Sequence, residues 1–427
     1  MRRRPALVLA ALFALAVPRA ASAEVWVVDQ QNGPGTDFTS LVIALTLAVD
    51  DGDIVLLRPG SYSHAHILGK GITLIGDPGP SGQRPVVKSL SVRDLPAGKS
   101  VTVRGVDGHD NPGNGTIGLV ASLWIQNCAG PVFVEDFRTE QVASVYSKPT
   151  PIWVNASDRV VLTRVDVRGP GATPTQGIGG QADPAPGVRV VDSTVAMYDC
   201  RAEGGPGSDA LGGPFATYPA FDGAPGVDFV SGTLVTNGGE FRGGDGGDGL
   251  LDAGQCLPSS SGGAGLVLGG AWTRLDTAAI GGAGGTDSGG CPQVGVDGAV
   301  VLRAGGAETV VADSYRSYVV DSPLRVGQAG TTTFVGVPGE FVGLLLSLAS
   351  SGDAAPTFKG TLVPGAPLFF AGLGTVPASG VIQFTVPVPA IGGLEGIVLQ
   401  EQALVAGADG FGLLSSPSHV VLVDAGI

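Results

Sequence analysis

The sequence repeats between residues 151 and 299, where four units open with Ile152-Trp153-Val154, Val188-Arg189-Val190, Val227-Asp228-Phe229 and Leu266-Val267-Leu268. The first residues of these runs are 36, 39 and 39 positions apart. Each unit continues with a second apolar run and then a glycine burst, such as Gly204-Gly205-Pro206-Gly207. A fixed period of about 20–50 residues is typical of a solenoid, so the repeat decides the fold class.

The units contain strands rather than helices. Apolar residues in the opening runs fall two apart, which is the side-chain period of a β-strand, and the later pairs Val195/Met197 and Cys200/Ala202 follow the same alternation. Each unit therefore offers two or three short strands and one long glycine-rich loop. Stacked coils of this kind predict a right-handed parallel β-helix over residues 24–322. The register predicts one buried ladder that contains Val154, Val190, Phe229 and Leu268.

Residues 1–23 have the features of a secretory signal peptide. Arg2, Arg3 and Arg4 precede an apolar stretch from Ala6 to Val17, and Ala21-Ser22-Ala23 fits a small-residue cleavage site. No later segment reaches the roughly 18 apolar residues of a membrane-spanning helix. The sequence thus predicts a secreted protein, located extracellularly or at the cell surface.

The charge excludes one class of partner. The chain carries 24 basic and 38 acidic residues, and the predicted signal peptide removes four of the arginines, which leaves a net charge of −18. A chain this acidic does not bind nucleic acid or anionic lipid through its overall field. The expected partner is an extracellular polysaccharide or a cell-surface component, and the expected oligomeric state is a monomer.

The four cysteines divide into two pairs. Cys256 and Cys291 lie 35 residues apart in the glycine-rich loops of neighbouring units, which predicts a disulfide in an exported protein. Cys128 and Cys200 are 72 residues apart, which corresponds to two coils of 36 residues. Two coils are about 9.6 Å apart, which is too far for a disulfide. They are expected to be buried thiols.

The segment before the repeat contains the one predicted helix, Leu41 to Val49, with Thr39 or Ser40 as its N-cap. A β-helix leaves an unpaired coil at its end, and a short amphipathic helix is expected to cover it.

This N-terminal segment resembles a known family. The runs Asp37-Phe38-Thr39-Ser40, Arg58-Pro59-Gly60-Ser61-Tyr62 and Gly71-Ile72-Thr73-Leu74-Ile75-Gly76 are similar to the entry of the pectin-lyase-like superfamily, which includes NosD-like β-helix proteins. The resemblance implies a right-handed parallel β-helix. It does not choose an activity, because the superfamily includes lyases, hydrolases, esterases and proteins without known chemistry.

Residues 323–427 have a different composition. Seven predicted strands, separated by turns such as Pro338-Gly339 and Pro364-Gly365, indicate an antiparallel β-sandwich. Val386-Pro387-Val388-Pro389 and Gln402-Ala403-Leu404 resemble β-sandwich modules of secreted proteins from planctomycete-like bacteria. That resemblance implies attachment or assembly, while the strand-only pattern would also suit a stabilising cap.

The glycine bursts suggest a calcium site. Residues 204–211 and 243–250 fit the GGxGxDxU core of a calcium-binding repeat, and 284–287 is a near match. Calcium prefers carboxylate and carbonyl oxygens, so stacked loops would offer Asp209, Asp245, Asp248 and Asp287 as ligands. The alternative is a flexible or self-packed glycine loop with solubilising aspartates.

Two aspartates are candidates for catalysis. Asp228 lies in a Val-Asp-Phe run that resembles the nucleophile motif of pectinesterases, and Asp209 loosely matches the acid/base position. The repeat alone also explains the Asp228 run. Arg201 and Arg242, which enter the glycine loops, leave a lyase open as well.

The sequence therefore predicts a secreted, non-enzymatic β-helix protein for surface attachment, adhesion or glycan binding. The alternative is a carbohydrate-active enzyme (a lyase, hydrolase or esterase) that acts on uronate polysaccharides.

Overall fold

The computed structural model describes residues 23–79, 81–109, 121–140, 150–172, 183–212, 217–252, 254–288, 294–354, 358–391, 393–406 and 412–427. Its regular structure is almost entirely β-strand, and the predicted parallel β-helix is confirmed. Successive coils contribute strands to three parallel sheets, here called sheets 1, 2 and 3.

Sheet 1 consists of β1 (Val25–Val28), β2 (Ile54–Leu57), β5 (Thr73–Gly76), β8 (Val101–Arg104), β11 (Val132–Glu135), β14 (Val160–Thr163), β17 (Ser193–Tyr198), β20 (Gly232–Asn237), β25 (Ala271–Leu275) and β29 (Ala307–Val310). Sheet 2 consists of β3 (Ser61–Tyr62), β6 (Val86–Val87), β9 (Asp107–His109), β12 (Arg138–Glu140), β15 (Asp166–Arg168), β18 (Arg201–Glu203), β21 (Glu240–Arg242) and β26 (Ala278–Ile280). Sheet 3 consists of β4 (Ala65–Leu68), β7 (Leu90–Arg93), β10 (Leu123–Gln126), β13 (Ile152–Asn155), β16 (Val188–Val191), β19 (Val227–Phe229), β24 (Leu266–Leu268) and β28 (Val301–Arg303).

The predicted buried ladder is confirmed. Val154, Val190, Phe229 and Leu268 are paired in register along sheet 3, and each is 0% exposed. Coils extend well before the glycine-rich units, but the early ones are shorter: Ile54 pairs with Thr73, only 19 positions along, whereas Val195 pairs with Leu234, 39 positions along. The long period therefore comes from residues inserted between sheets 2 and 3.

The corners of the coil are fixed by residues with positive φ. One such residue follows each of several strands in sheets 1 and 3, and aspartate, asparagine and glycine predominate because they tolerate this conformation. The non-glycine members at these two corners are Asp94, Asn127, Asp136, Ala156, Arg164, Asp192, Asp199 and Asp276.

A short helical segment covers the first coil, as predicted. It comprises α1 (Leu41–Ile43) and a single π-helical turn (Ala44–Ala48), shorter and less regular than the expected helix over residues 41–49. Ser40 is the N-cap, since its side chain accepts a hydrogen bond from the Ile43 amide at 3.4 Å. Leu41, Ala44 and Leu45 are buried in the main core.

The glycine-rich loops form two stacked layers. One layer consists of the outgoing arms (204–211, 243–250 and 281–288), and the other consists of the returning arms (218–226, 257–265 and 294–299). Short strands near the arm tips are β22 (Gly249–Asp252), β23 (Gln255–Leu257) and β27 (Asp287–Ser288).

Hydrogen bonds between the arms recur at every third residue. Gly204, Gly207 and Ala210 donate to the next coil, and Gly244 and Gly247 donate sideways to the returning arm of the preceding coil. The hydrogen bonds of the described arms join neighbouring arms and none lies within an arm. A three-residue period of this kind is the pattern of packed polyproline II helices. Only glycine permits this spacing, since a Cβ on Gly205 would lie 1.9 Å from the Pro170 carbonyl oxygen.

The register predicted for two cysteines is wrong. Cys128 follows strand β10 of sheet 3, whereas Cys200 follows strand β17 of sheet 1, so they occupy different corners. Both are buried free thiols, as expected. Cys256 is exposed in strand β23, but Cys291 lies outside the described residues, so the Cys256–Cys291 disulfide remains a prediction.

The C-terminal region is the predicted antiparallel sandwich. Its strands are β30 (Ser317–Val320), β31 (Leu324–Arg325), β32 (Ala329–Val335), β33 (Phe341–Ser347), β34 (Ser350–Ala354), β35 (Phe358–Lys359), β36 (Thr361–Pro364), β37 (Phe369–Thr375), β38 (Val381–Pro387), β39 (Val398–Ala406) and β40 (Gly412–Val423). One sheet has the order β30-β32-β38, and the facing sheet has the order β31-β40-β39-β33-β37. Antiparallel pairing starts at Ser317, ahead of residue 323.

Candidate functional site

The three outer faces of the β-helix differ in what covers them. The outer face of sheet 1 lies under the sandwich. Ile54, Leu56 and Ile75 pack against Val421 and Val423 of strand β40. Phe133, Val161, Ala196 and Tyr198 form a second apolar cluster with Val363 of strand β36. This face is therefore not available to a ligand.

A buried polar cluster joins the two parts of the chain at this junction. Arg104 is 5% exposed and donates to the Ser418 hydroxyl at 3.1 Å and to the carbonyl oxygens of Val320 and His419. Glu135 is 1% exposed and lies 3.2 Å from Arg104 and 2.8 Å from His419 Nδ1. Burial alone would raise the pKa of Glu135, but Arg104 and His419 outweigh it and hold that pKa below its usual value.

A second buried carboxyl lies further inside the sandwich. Glu401 is 6% exposed and accepts a hydrogen bond from the Tyr318 hydroxyl at 2.5 Å. Both residues line a mainly apolar cavity together with Leu344, Phe384 and Val420. Burial raises the pKa of Glu401 to about 7, so this carboxyl titrates near neutral pH.

The sequence contained one signal for this covered face. Ile54-Val55-Leu56-Leu57 and Val160-Val161-Leu162 are unbroken apolar runs without alternation, and all of these residues are buried. Such runs are typical of strands covered on both faces.

The outer face of sheet 2 carries charged residues of opposite sign on neighbouring coils. Arg138, Asp166, Arg201 and Glu240 are paired in succession, so the sign alternates from coil to coil. Arg168 lies 3.1 Å from Glu203 on the neighbouring coil. Opposite charges on adjacent strands stabilise the sheet modestly. Arg201, a candidate of the lyase interpretation, is one member of this ladder, and Arg242 pairs in register with Glu203.

The outer face of sheet 3 carries a different set of side chains, in two rows. The first row runs in register through His66, Ser91, Trp124, Trp153, Arg189, Asp228, Val267 and Leu302. The second row runs through Leu68, Arg93, Gln126, Asn155 and Val191. Strand alternation places these residues outward because their neighbours fill the core.

Planar side chains stack at the centre of this face. The rings of Trp124 and Trp153 are 6.0 Å apart at an interplanar angle of 22°. The guanidinium of Arg93, which lies on the preceding coil, is 4.9 Å from the centre of the Trp124 ring. Both indoles are half-buried, so their exposed portions form one continuous aromatic surface.

Several polar atoms on this face lack partners. Within the described part of the chain, no hydrogen bond reaches Nε1 of Trp124 or Trp153, Nε of Arg93, or Oε1 of Gln126. Such atoms are costly to bury without a partner. These four atoms are shielded from solvent, so sheet 3 offers a ligand the half-exposed indoles of Trp124 and Trp153 and the remaining parts of the half-buried Arg93 and Gln126 side chains.

The two catalytic candidates lie on different elements. Asp228 lies at one end of the sheet 3 row, with a carboxylate oxygen 3.4 Å from Arg189 Nε. Burial raises the pKa of Asp228, and Arg189 opposes that shift. Asp209 lies on an outgoing glycine arm, where it accepts a hydrogen bond from the Asp248 amide. The structure therefore gives these carboxylates different partners, and their proposed roles remain predictions.

Three of the four calcium candidates accept hydrogen bonds from main-chain amides of the neighbouring coil. Asp209 accepts from the Asp248 amide at 2.9 Å, Asp245 from the Ala283 amide at 2.8 Å, and Asp248 from the Thr286 amide at 2.6 Å. Asp287 lies in the short strand β27. Among the described residues, no group of three or more histidine, cysteine or acidic side chains is placed to hold a metal ion. The carboxylates instead stabilise the stacking of the arms, and calcium binding remains a hypothesis.

Two predictions concern the export of the protein by a signal peptide and the absence of a membrane-spanning helix. Residues 1–22, which form nearly all of the expected signal peptide, lie outside the described residues. In the part that is described, no helix is both long enough and apolar enough to cross a membrane.

Comparison with known proteins leaves the family open. No family model and no curated protein matches the chain. A solved structure of the enzymatically active domain of tailspike protein 4 from bacteriophage CBA120 is 10% identical and aligns over 87% of this chain with a TM-score of 0.18. The chain covers 64% of that domain. A similarity this low carries no argument about function.

Proposed function

We propose that the protein is a secreted glycan-binding β-helix whose ligand lies along the outer face of sheet 3. The observation that carries the proposal is the stack of Trp124 and Trp153, which the Arg93 guanidinium extends by one coil. Aromatic surfaces contact the apolar faces and edges of sugar rings, while guanidinium and amide groups such as those of Arg93 and Gln126 donate to their hydroxyls. Sheet 3 suits this role because sheet 1 is covered and sheet 2 pairs its own charges.

The geometry favours an extended ligand. Equivalent side chains on sheet 3 repeat at the strand spacing of about 4.8 Å along the helix axis. The path from Arg93 in the second row to Trp124, Trp153 and Arg189 in the first row spans three such steps, or roughly 14 Å. A polysaccharide aligned with this axis would contact one set of side chains per coil, which adds weak contacts into a useful affinity.

Binding can be tested with the full chain on an array of extracellular polysaccharides, followed by titration with the best ligand. Trp153→Ala and Arg93→Gln should each weaken binding at least tenfold, because each removes a contact on sheet 3. Arg201→Ala on sheet 2 is the matched control and should leave the affinity unchanged. If all three variants bind the ligand as tightly as the wild type does, and their melting temperatures match that of the wild type, sheet 3 is ruled out as the site.

An enzymatic role is the second candidate, and the raised pKa of Asp228 favours it. A carboxyl protonated near its working pH can act as a general acid. The measurement is the release of products from uronate polysaccharides. If the wild type releases them and Asp228→Asn does not, the enzymatic role replaces the binding proposal. The pectin-lyase-like resemblance and secretion through residues 1–23 stand as parts of the same proposal.

A further inference from the structure

Asp53 is a buried carboxylate at the start of the β-helix. It is 8% exposed and directly precedes strand β2. Its Oδ1 accepts a hydrogen bond from the Glu24 main-chain nitrogen at 3.1 Å. Its Oδ2 accepts hydrogen bonds from Trp26 Nε1 at 3.0 Å and from the Asp50 amide at 2.9 Å. In the described part of the chain, every donor to Asp53 is therefore neutral while the Glu24 nitrogen belongs to a peptide bond.

Four other carboxyl groups are buried among the described residues, and each has a means of avoiding an unbalanced charge. Three of them pair with an arginine: Asp29 with Arg58 at 3.3 Å, Asp77 with Arg325 at 2.7 Å, and Glu135 with Arg104 at 3.2 Å. The fourth is Glu401, whose pKa is raised to about 7 by burial. A buried charge without an opposite charge is costly. Asp53 therefore differs from the other four, because its described partners include no cation.

The predicted removal of the signal peptide would place a cation at this carboxylate. The sequence predicts cleavage after Ala23. Hydrolysis of the Ala23–Glu24 bond by a signal peptidase consumes one water and yields the Ala23 carboxylate and the Glu24 amine, which takes up the proton that the new carboxyl group releases. An α-amino group has an ordinary pKa of about 7.7–8.0 and is largely protonated at pH 7. The nitrogen that donates to Asp53 would then carry a positive charge.

Strand pairing holds the Glu24 nitrogen beside Asp53 without help from residues 1–23. The Glu24 carbonyl oxygen accepts a hydrogen bond from the Ile54 amide at 2.9 Å, and Val25 pairs with Ile54 at the start of the ladder between β1 and β2. Trp26 binds the other oxygen of the same carboxylate. All of these contacts lie on the C-terminal side of the Glu24 nitrogen, so cleavage leaves them intact.

The strand that this contact holds in place is the end strand of sheet 1. Strand β1 lies where the β-helix begins, and its neighbour in the sheet is β2. Val25 and Val27 pack in the same apolar cluster as Ile54. A hydrogen bond between two charged groups is roughly twice as strong as one between neutral groups. A charged Glu24 nitrogen would therefore attach β1 more firmly to the turn that precedes β2.

We propose that removal of residues 1–23 creates an ammonium group on Glu24 that forms an ion pair with Asp53 and thereby stabilises the first coil. The protein is less stable before this cleavage than after it. The inference rests on the cleavage site predicted from the sequence, and it is independent of the ligand of sheet 3.

The first measurement is the N-terminal residue of the exported protein. The full chain, expressed with residues 1–23 and recovered after export, should begin at Glu24 when its intact mass is measured. A product that begins at any other residue, or one that keeps residues 1–23, would overturn the proposal. In either case the charged terminus would not lie at the Asp53 carboxylate.

The second measurement compares two forms of the chain, released from cleavable fusions so that one begins at Glu24 and the other at Ser22. In chemical denaturation at pH 7, the unfolding equilibrium constant of the Ser22 form should be about tenfold larger, because its Glu24 nitrogen is an uncharged amide. In Asp53→Asn the two forms should be equally stable. Asp37→Asn is the matched control, since Asp37 accepts a hydrogen bond from the Val27 amide of the same strand at 2.8 Å. It should destabilise both forms and preserve the ratio between them.

Equal stability of the two forms with Asp53 present would contradict the proposal, and so would a tenfold ratio that persists in Asp53→Asn. If Asp53→Asn does not fold, selective acetylation of the Glu24 amine decides the outcome, because it removes the positive charge and changes no side chain. The acetylated protein should be as unstable as the Ser22 form. An acetylated protein as stable as the free amine would show that the charge on Glu24 has no effect.

Discussion

Single residues differ in how far their sequence context reveals their environment. Phe229 could be assigned to the core from its alternating neighbours, and it is fully buried. Glu135 could not, because an acidic residue at an outward strand position is expected to be solvated. It is 1% exposed, and its partner His419 lies 284 positions away in the sequence. No local pattern reports such a long-range pair.

At the same scale, Glu401 makes stability depend on pH. Its pKa is about 7 in the folded chain against 4.5 for the ordinary carboxyl, so the folded state binds the proton more tightly. Its contribution is complete below about pH 4.5 and is lost as pH rises through about 7. A shift of this size corresponds to a contribution on the order of 3 kcal/mol.

The melting temperature should therefore fall by several degrees between pH 5 and pH 7.5. Glu401→Gln retains an acceptor for Tyr318 but cannot titrate, so its melting temperature should fall less over the same range. Parallel curves for the two proteins would show that Glu401 does not titrate between these pH values.

Elements were predictable where their periodicity was strict. The repeat at residues 151–299 located the three-strand coil and its register, because inward side chains recur at every second position. The earlier coils fall within the β-helix predicted for residues 24–322, but the long repeat did not give their register because these coils are shorter. The regular packing of the glycine arms was not predicted. The hydrogen bonds that recur at every third residue join different arms, so the only trace of them in the sequence is a high glycine content.

The close packing of the arms predicts a strong dependence on single glycines. Gly205→Ala should destabilise the protein by roughly 1–3 kcal/mol, because the added Cβ would fall 1.9 Å from a carbonyl oxygen and must displace the arm. Gly98→Ala is the matched control, since nothing lies within 4 Å of the corresponding Cβ position. Chemical denaturation of both variants measures the difference. Equal stability would mean that the arms are loosely packed.

At the scale of the whole molecule, the β-helix and the sandwich share a buried interface that contains apolar clusters and ion pairs. The sequence indicated two domains because composition and strand pattern change near residue 323. It gave no indication that Arg104 of the β-helix binds Val320 and His419 of the sandwich, or that sheet 1 is covered over several coils. Buried interfaces that combine apolar clusters and ion pairs are expected to unfold together with the parts that they join.

Calorimetry should therefore show one unfolding transition for residues 24–427, and a change at the junction should move all of it. Tyr198→Phe removes the hydroxyl that accepts a hydrogen bond from the Thr361 amide at 2.6 Å and donates to the Thr361 carbonyl. Leaving that buried amide without a partner should cost about 1–3 kcal/mol. Tyr218→Phe, on a returning glycine arm, is the control and should leave the transition in place. Two transitions in the wild type, or a shift confined to one of two transitions in Tyr198→Phe, would mean that the sandwich unfolds independently of the β-helix.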